Sequence, residues 1–210
     1  MKHAFGKEYW ETHWEQVTVG REIGPNPHLA RETRELIPGT ALDAGCGEGA
    51  EAIWLAANGW QVTAADISAE ALSRASERAR QHGVAPERLR WVEADLTTWK
   101  PDEDFDLVTT IYAHPAMPHA AFYRRISHWV APGGTLLIVG HLHTPSTTGR
   151  QEHGHHSPEE ASVTAAGITA QFDATEWDIV TAEELTRSLA NRAGQITGLH
   201  DVVVRAIRRR

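Results

Sequence analysis

The chain has 210 residues, 41% of them hydrophobic, with 20 Lys plus Arg against 28 Asp plus Glu and a formal charge of −8. That length suits one domain with a sizeable core, and the acidic balance argues against a nucleic-acid partner, whose phosphates attract Lys and Arg. A single cysteine, Cys46, excludes an internal disulfide, and no apolar run approaches membrane-spanning length, so a cytoplasmic location with no membrane partner is expected.

Residues 8–16 and 27–37 read as helices, the first pairing Trp10 with Trp14 one turn apart and the second stopping at Pro38-Gly39. Gly24-Pro25-Asn26-Pro27 is a turn-rich link between them. From residue 40 strands and helices alternate. Strands are expected at 40–43, 61–65, 89–93, 105–111 and 135–139. Between them lie helices at 51–58, closed by Gly59, at 69–82, capped by Ser68 and closed by Gly83, and from Pro118 onward. Pro132-Gly133-Gly134 reads as a tight turn. Residues 141–158 read as a His-, Gly- and Ser-rich loop, 159–172 as a weak helix, and 177–181 and 201–207 as an antiparallel pair at the sheet edge. The expected fold class is α/β, a doubly wound, mostly parallel, Rossmann-like sheet with an antiparallel edge strand and N-terminal helices.

In such a sheet the ligand lies beyond the carboxyl ends of the strands. Asp43 to Gly49, Asp66-Ile67, Ala94-Asp95-Leu96 and Thr109 to Pro115 all end there. Gly45, Gly47 and Gly49 let the backbone turn sharply and approach a ligand. Asp66 can accept both ribose hydroxyls, Asp95 can accept from an exocyclic amino group, and Ile67 and Leu96 can sandwich a flat base. Gly45 to Ala50 also fits the dinucleotide pattern G-x-G-x-x-A, so an NAD(P)-dependent oxidoreductase is the rival reading. Asp43 and Glu48 favour S-adenosylmethionine: each faces a pyrophosphate unfavourably, whereas Asp43 can meet the ammonium of a methionine tail.

Ala41 to Gly49, together with Asp66, Glu93-Ala94-Asp95-Leu96, Phe105-Asp106-Leu107-Val108 and Ala131-Pro132-Gly133-Gly134-Thr135, resembles the class I S-adenosylmethionine-dependent methyltransferases over roughly residues 40–140. Tyr9-Trp10 and Pro25-Asn26-Pro27 are similar to the small tellurite-resistance and thiopurine-type members of that superfamily, the methyltransferase domain 25-like subgroup. The resemblance implies that Asp43 and Gly45-Cys46-Gly47-Glu48-Gly49 hold the methionine part, Asp66 the ribose and Asp95-Leu96 the adenine. It also implies that the backbone at Thr110-Ile111 accepts from the cofactor's ammonium. Residues 1–210 then form one methyltransferase domain, with a helical cap over 1–39, the cofactor-binding core over 40–140, and a substrate loop and C-terminal strands over 141–210.

Methyl transfer from a sulfonium needs positioning, and a base only where the acceptor must lose a proton early. His114 and His141 are the candidate catalytic residues, because histidine titrates near neutrality and both follow strands that end at the expected site. Tyr112 and His143 share those loops, and Tyr9, Trp10 and Trp14 are expected as an aromatic lid. Asn/Asp-Pro-Pro-Tyr/Phe, the signature for planar amines, is absent, since Thr110-Ile111-Tyr112-Ala113-His114-Pro115 stands in its place. A small-molecule O, N or S nucleophile is therefore the expected acceptor, on a monomer or homodimer. The group His141, His143, His153, His155 and His156 lacks acidic or cysteine ligands at metal-site spacing, so no metal is expected. A non-catalytic S-adenosylmethionine-binding protein is the remaining alternative.

Overall fold

A computed structural model describes residues 5–16, 24–142, 163–190 and 196–210. Seven strands form one sheet in the order β3-β2-β1-β4-β5-β7-β6. They are β1 (Thr40–Ala44), β2 (Gln61–Asp66), β3 (Leu89–Glu93), β4 (Phe105–Ile111), β5 (Val130–His141), β6 (Trp177–Ala190) and β7 (Ile196–Arg208). The first five run parallel, and β7 pairs antiparallel with both β5 and β6. The helices are α1 (Lys7–Gln16), α2 (Pro27–Thr33), α3 (Ala50–Ala57), α4 (Ala69–Gln81), α5 (His119–Ser127) and α6 (Ala165–Thr169).

Strand alternation divides the core into two layers. Leu42, Val108, Leu136, Ile138, Val202 and Val204 point to one face and pack with Phe122 and Ile126 of α5 and Ile168 of α6. Ala41, Leu107, Leu137, Val139 and Val203 point to the other and pack with Leu29 of α2, Ile53 and Leu55 of α3 and Leu72 of α4. Both faces being covered explains why β1 and β4 read as near-continuous apolar runs.

Strand order reverses between β1 and β4, which pair in register Asp43↔Thr109. This is the switch point where doubly wound sheets leave a crevice. Several local signals act as the sequence predicts. The Ser68 side chain accepts from Ala71 N, and Gly59 and Gly83 adopt positive φ. Other expectations are revised. The second helix ends at Thr33, four residues early, where the Thr33 hydroxyl donates to Leu29 O. The Pro132-Gly133-Gly134 turn is absorbed into β5 as a bulge: the register jumps from Phe105↔Val130 to Leu107↔Thr135, with Gly133 at φ 82°. Among the described residues of the expected weak helix, Ala165–Thr169 is helical. The last two strands are longer than expected and form the expected antiparallel pair at one edge of the sheet, with β6 outermost. His141 is the last residue of β5, one position into the segment expected as a loop. Residues 143–158 of the expected His-rich loop, His143 included, lie outside the described residues.

Candidate active site

A cavity of about 890 Å³ opens beyond the carboxyl ends of the central strands. Its floor is the turn between β1 and α3. Gly45 N and Cys46 N both donate to Ala65 O, at 2.8 and 3.1 Å, which ties the turn to β2. Gly45 sits at φ 85°, and a Cβ there would lie 2.5 Å from the Ala113 methyl. Gly47 sits at φ 50° under the Trp14 ring, 3.0 Å from where its Cβ would be. Left-handed backbone and close contact together demand glycine at both positions. Cys46 is buried, and burial pushes its thiol well up, away from the thiolate a nucleophile needs.

Acidic groups surround that turn. Asp43 is buried directly behind it in β1, and its Oδ2 has no hydrogen-bond partner. Burial raises the Asp43 pKa well above the usual carboxylate range, and Glu51 and Asp66 push it further. Glu51, in the first turn of α3, accepts from Asn26 N at 3.0 Å and is likewise raised by burial. Asp66 Oδ2 accepts from Gly47 N at 2.8 Å and its Oδ1 from Ser68 N at 3.0 Å. A carboxylate has about four acceptor positions, so Asp66 retains capacity for two ribose hydroxyls. Asp95 Oδ1 is engaged by Thr97 N and Oγ1, at 2.9 and 2.7 Å.

Helix α1 lies across this half of the site. Glu11 accepts from Ser68 Oγ, Ala69 N and Glu70 N, so a residue of α1 satisfies the open amino end of α4. Lys7 of the same helix pairs with Glu93 at the end of β3. These contacts set Trp10 and Trp14 along the cavity wall.

The opposite half, beyond β4, β5 and β7, is different in character. Tyr112 takes φ 54°, and its hydroxyl donates to Asp201 Oδ1 at 2.6 Å. Arg187 Nε and His28 Nε2 reach Asp201 Oδ2 at 2.5 and 3.0 Å, and Arg187 Nη2 donates to the Tyr112 hydroxyl at 3.0 Å. Burial works to raise the Asp201 pKa, but the bonds from Tyr112, Arg187 and His28 outweigh it and hold the carboxyl below its ordinary range. The Tyr112 phenol is pushed up to about 12, by burial first and then by Asp201. His141 stacks on Tyr112 at 4.2 Å between ring centroids, and His114 on His141 at 5.7 Å. Trp10 continues this parallel column at 6.5 Å from His114.

Gly45, Cys46, Gly47, Gly49, Asp66, Ile67, Asp95, Leu96, Ile111, Tyr112, His114, Trp10 and Trp14 therefore line one cavity. Asp43 and Thr110 are buried beneath it, Thr110 with its hydroxyl donating to Ala44 O. His141 is stacked on Tyr112 and His114 but is not among the lining residues, and Tyr9 is 41% exposed outside the wall. Sequence reasoning passed over Glu11, His28, Glu51, Arg187 and Asp201. Asp201 did leave a trace, as an acidic residue heading the apolar run Val202-Val203-Val204. Among the described residues no His, Cys, Asp or Glu group is arranged to hold a metal ion, and no helix is long and apolar enough to cross a membrane.

Residues 41–134 match the family described as a methyltransferase domain, and the fold is the Rossmann-like one of class I methyltransferases. Among curated relatives, the probable thiol methyltransferase 2 of Arabidopsis thaliana is 31% identical over 136 residues, covering 62% of this chain and 60% of that protein. The chain spans only about half to three fifths of the first curated relatives it matches. A solved structure concerned with conversion of a disulfide bond into a thioacetal group during echinomycin biosynthesis superposes with TM-score 0.70 at 22% identity, over 97% of this chain and 91% of that one. Magnesium protoporphyrin IX methyltransferase from Synechocystis, with bound S-adenosylmethionine, superposes with TM-score 0.61 at 16% identity, over 96% and 79%. S-adenosylmethionine is the cofactor that the methyltransferase-domain match implies, rather than a dinucleotide. The residues present fit it: one buried Asp43 oxygen makes no hydrogen bond, and a carboxylate there can meet a cation.

If Asp66 holds the ribose, Asp66→Ala should weaken S-adenosylhomocysteine binding by roughly tenfold or more, since about 1.4 kcal/mol is a factor of ten and two charge-assisted bonds are lost. The loss also frees Gly47 N and Ser68 N, which loosens the turn. Unchanged affinity by calorimetry would remove Asp66 from the site.

Proposed function

We propose that the protein transfers a methyl group from S-adenosylmethionine to a small-molecule O, N or S nucleophile, with a thiol as the favoured acceptor. The observation that carries this reading is the division of one cavity into two halves. A glycine turn ringed by Asp43, Glu51 and Asp66 lies on the β1–β2 side, and an aromatic wall with His114 lies on the β4 side. The cofactor supplies an electrophilic methyl group on a cationic sulfur. Asp43 and Gly45 to Gly49 hold its methionine part, with the Thr110-Ile111 backbone accepting from the ammonium. Asp66 binds the ribose, and Ile67, Asp95 and Leu96 the adenine.

Trp10 and Trp14, with Tyr9 beside them, close over the acceptor. His114 takes the acceptor's proton, with His141, itself stacked on Tyr112, fixing its ring by stacking. A thiol suits so modest a base, because its pKa near 8.5 leaves little to remove. The thiol methyltransferase likeness and the aromatic walls support sulfur over a charged amine. The acidic composition and the aromatic lining of the cavity support a small molecule over nucleic acid. We also read the chain as one cytoplasmic domain, monomeric or homodimeric, with its cofactor core at 40–140.

The test is methyl transfer from labelled S-adenosylmethionine to a panel of thiols, phenols and amines. Turnover greatest with thiols is expected. Stabilisation by S-adenosylhomocysteine with no turnover on any acceptor would instead make the protein a non-catalytic binder.

A further inference from the structure

We propose that Arg187 binds a carboxylate on the acceptor, so that the substrate is an organic acid carrying the nucleophile rather than a neutral compound. This rests on the methyltransferase reading and narrows its acceptor. Arg187 and Arg78 are the two arginines that line the cavity among the described residues. Arg78 stands beside Glu48, its Nη1 donating to Glu48 O at 3.4 Å. Arg187 stands at the other end, on the outermost strand β6, and its register partner Leu199 also lines the cavity.

The way Arg187 is held matters more than its charge. Its Nε meets Asp201 and one hydrogen of Nη2 meets the Tyr112 hydroxyl. Both hydrogens of Nη1 and the second of Nη2 make no bond within the described residues, and the side chain keeps 24% exposure. An arginine needed only to neutralise Asp201 would turn its whole fork on that carboxylate. Here one edge is anchored and the terminal edge, whose planar geometry matches a carboxylate bidentately, is left to the cavity. Asp201 needs no more from it, because Tyr112 and His28 already occupy the same carboxylate.

Charge distribution places the anion at this end. Glu48, Glu51, Asp66 and Asp95 line the β1–β2–β3 half and repel an acid from it. The attraction of Arg187 then draws an acceptor's carboxylate to the far end and leaves its nucleophile between the two halves, alongside His114. The same chemistry could come from the cofactor's own methionyl carboxylate, so the experiment must separate the two sources.

The probes are 4-mercaptophenylacetate and its neutral amide, measured by calorimetry on protein saturated with S-adenosylhomocysteine. The native protein should bind the acid about 10- to 100-fold more tightly than the amide, the range expected of a bidentate charge-assisted contact. Arg187→Met should erase that difference and leave S-adenosylhomocysteine affinity intact, and Arg187→Lys should keep part of it. Equal binding of acid and amide by the native protein overturns the proposal without any variant. A comparable loss of S-adenosylhomocysteine binding in Arg187→Met also overturns it, and assigns Arg187 to the cofactor's carboxylate. Failure of the methyltransferase reading shows separately, as no methyl transfer to either thiol.

Discussion

Asp43→Asn is expected to stabilise the ligand-free protein and to weaken cofactor binding. Asp43 is buried in β1, one of its oxygens has no partner, and burial together with Glu51 and Asp66 raises its pKa well above the usual range. A carboxyl whose folded pKa is raised imposes no penalty below its ordinary value near 3.8. Its penalty then grows as pH rises, until the group ionises within the fold. The apparent stability of the ligand-free protein should therefore fall from weakly acidic toward neutral and alkaline pH, and Asn should flatten that slope. Removing a half-satisfied buried acid is worth about 1–2 kcal/mol, or roughly 2–8 °C in Tm for a chain of this size. If Asp43 holds the methionine part, the ammonium of S-adenosylhomocysteine offsets the acidic cluster, and its affinity should drop by about tenfold or more. Thermal scans across pH, with and without S-adenosylhomocysteine, read both effects. A lower Tm for ligand-free Asp43→Asn would show that the carboxylate stabilises the fold directly.

The second large effect has the opposite sign. Asp201→Ala removes the acceptor shared by Tyr112, Arg187 and His28. Asp201 is fully buried, and removing one partner of a buried charged pair costs about 3–5 kcal/mol, reduced here because Arg187 keeps some contact with solvent. A fall in Tm of roughly 6–15 °C follows. His28 ties α2 to this strand, and Tyr112 supports His141, so the loss should extend to the acceptor wall. Adding Arg187→Met to Asp201→Ala should recover part of the stability, since the leftover charge is then gone. Strict additivity of the two changes would mean that the pair does not act as a unit.

These two acids also show how legible the protein was. Asp43 stood out in the sequence because its neighbours are contiguous: strand, glycine turn and helix follow one another within residues 40–57, and each carries its own local signal. Asp66 and Asp95 were found the same way, as acids at strand ends. Asp201 gave only the oddity of a carboxylate heading an apolar run. Its partners lie 173 residues away at His28 and 89 at Tyr112, and no periodicity links them. Glu11 was invisible for a related reason. A glutamate on a helix face reads as solvated, and only the docking of α1 turns it into the cap of α4.

The strand boundaries divide along the same line. Parallel strands between helices were located closely, because hydrophobic runs and caps bound them locally. The bulge at Pro132 to Gly134 and the lengths of β6 and β7 depended on cross-strand register, which neighbouring strands impose. The sequence by itself thus determined the α/β class and the glycine-and-acid pattern of the cofactor half, because those are properties of short contiguous segments. The tertiary structure alone decided the half of the cavity beyond β4. There β4, β5, β6, β7 and α2 bring an arginine, a tyrosine and a histidine onto one buried carboxylate, a constellation that exists only once the sheet has closed its non-local pairs.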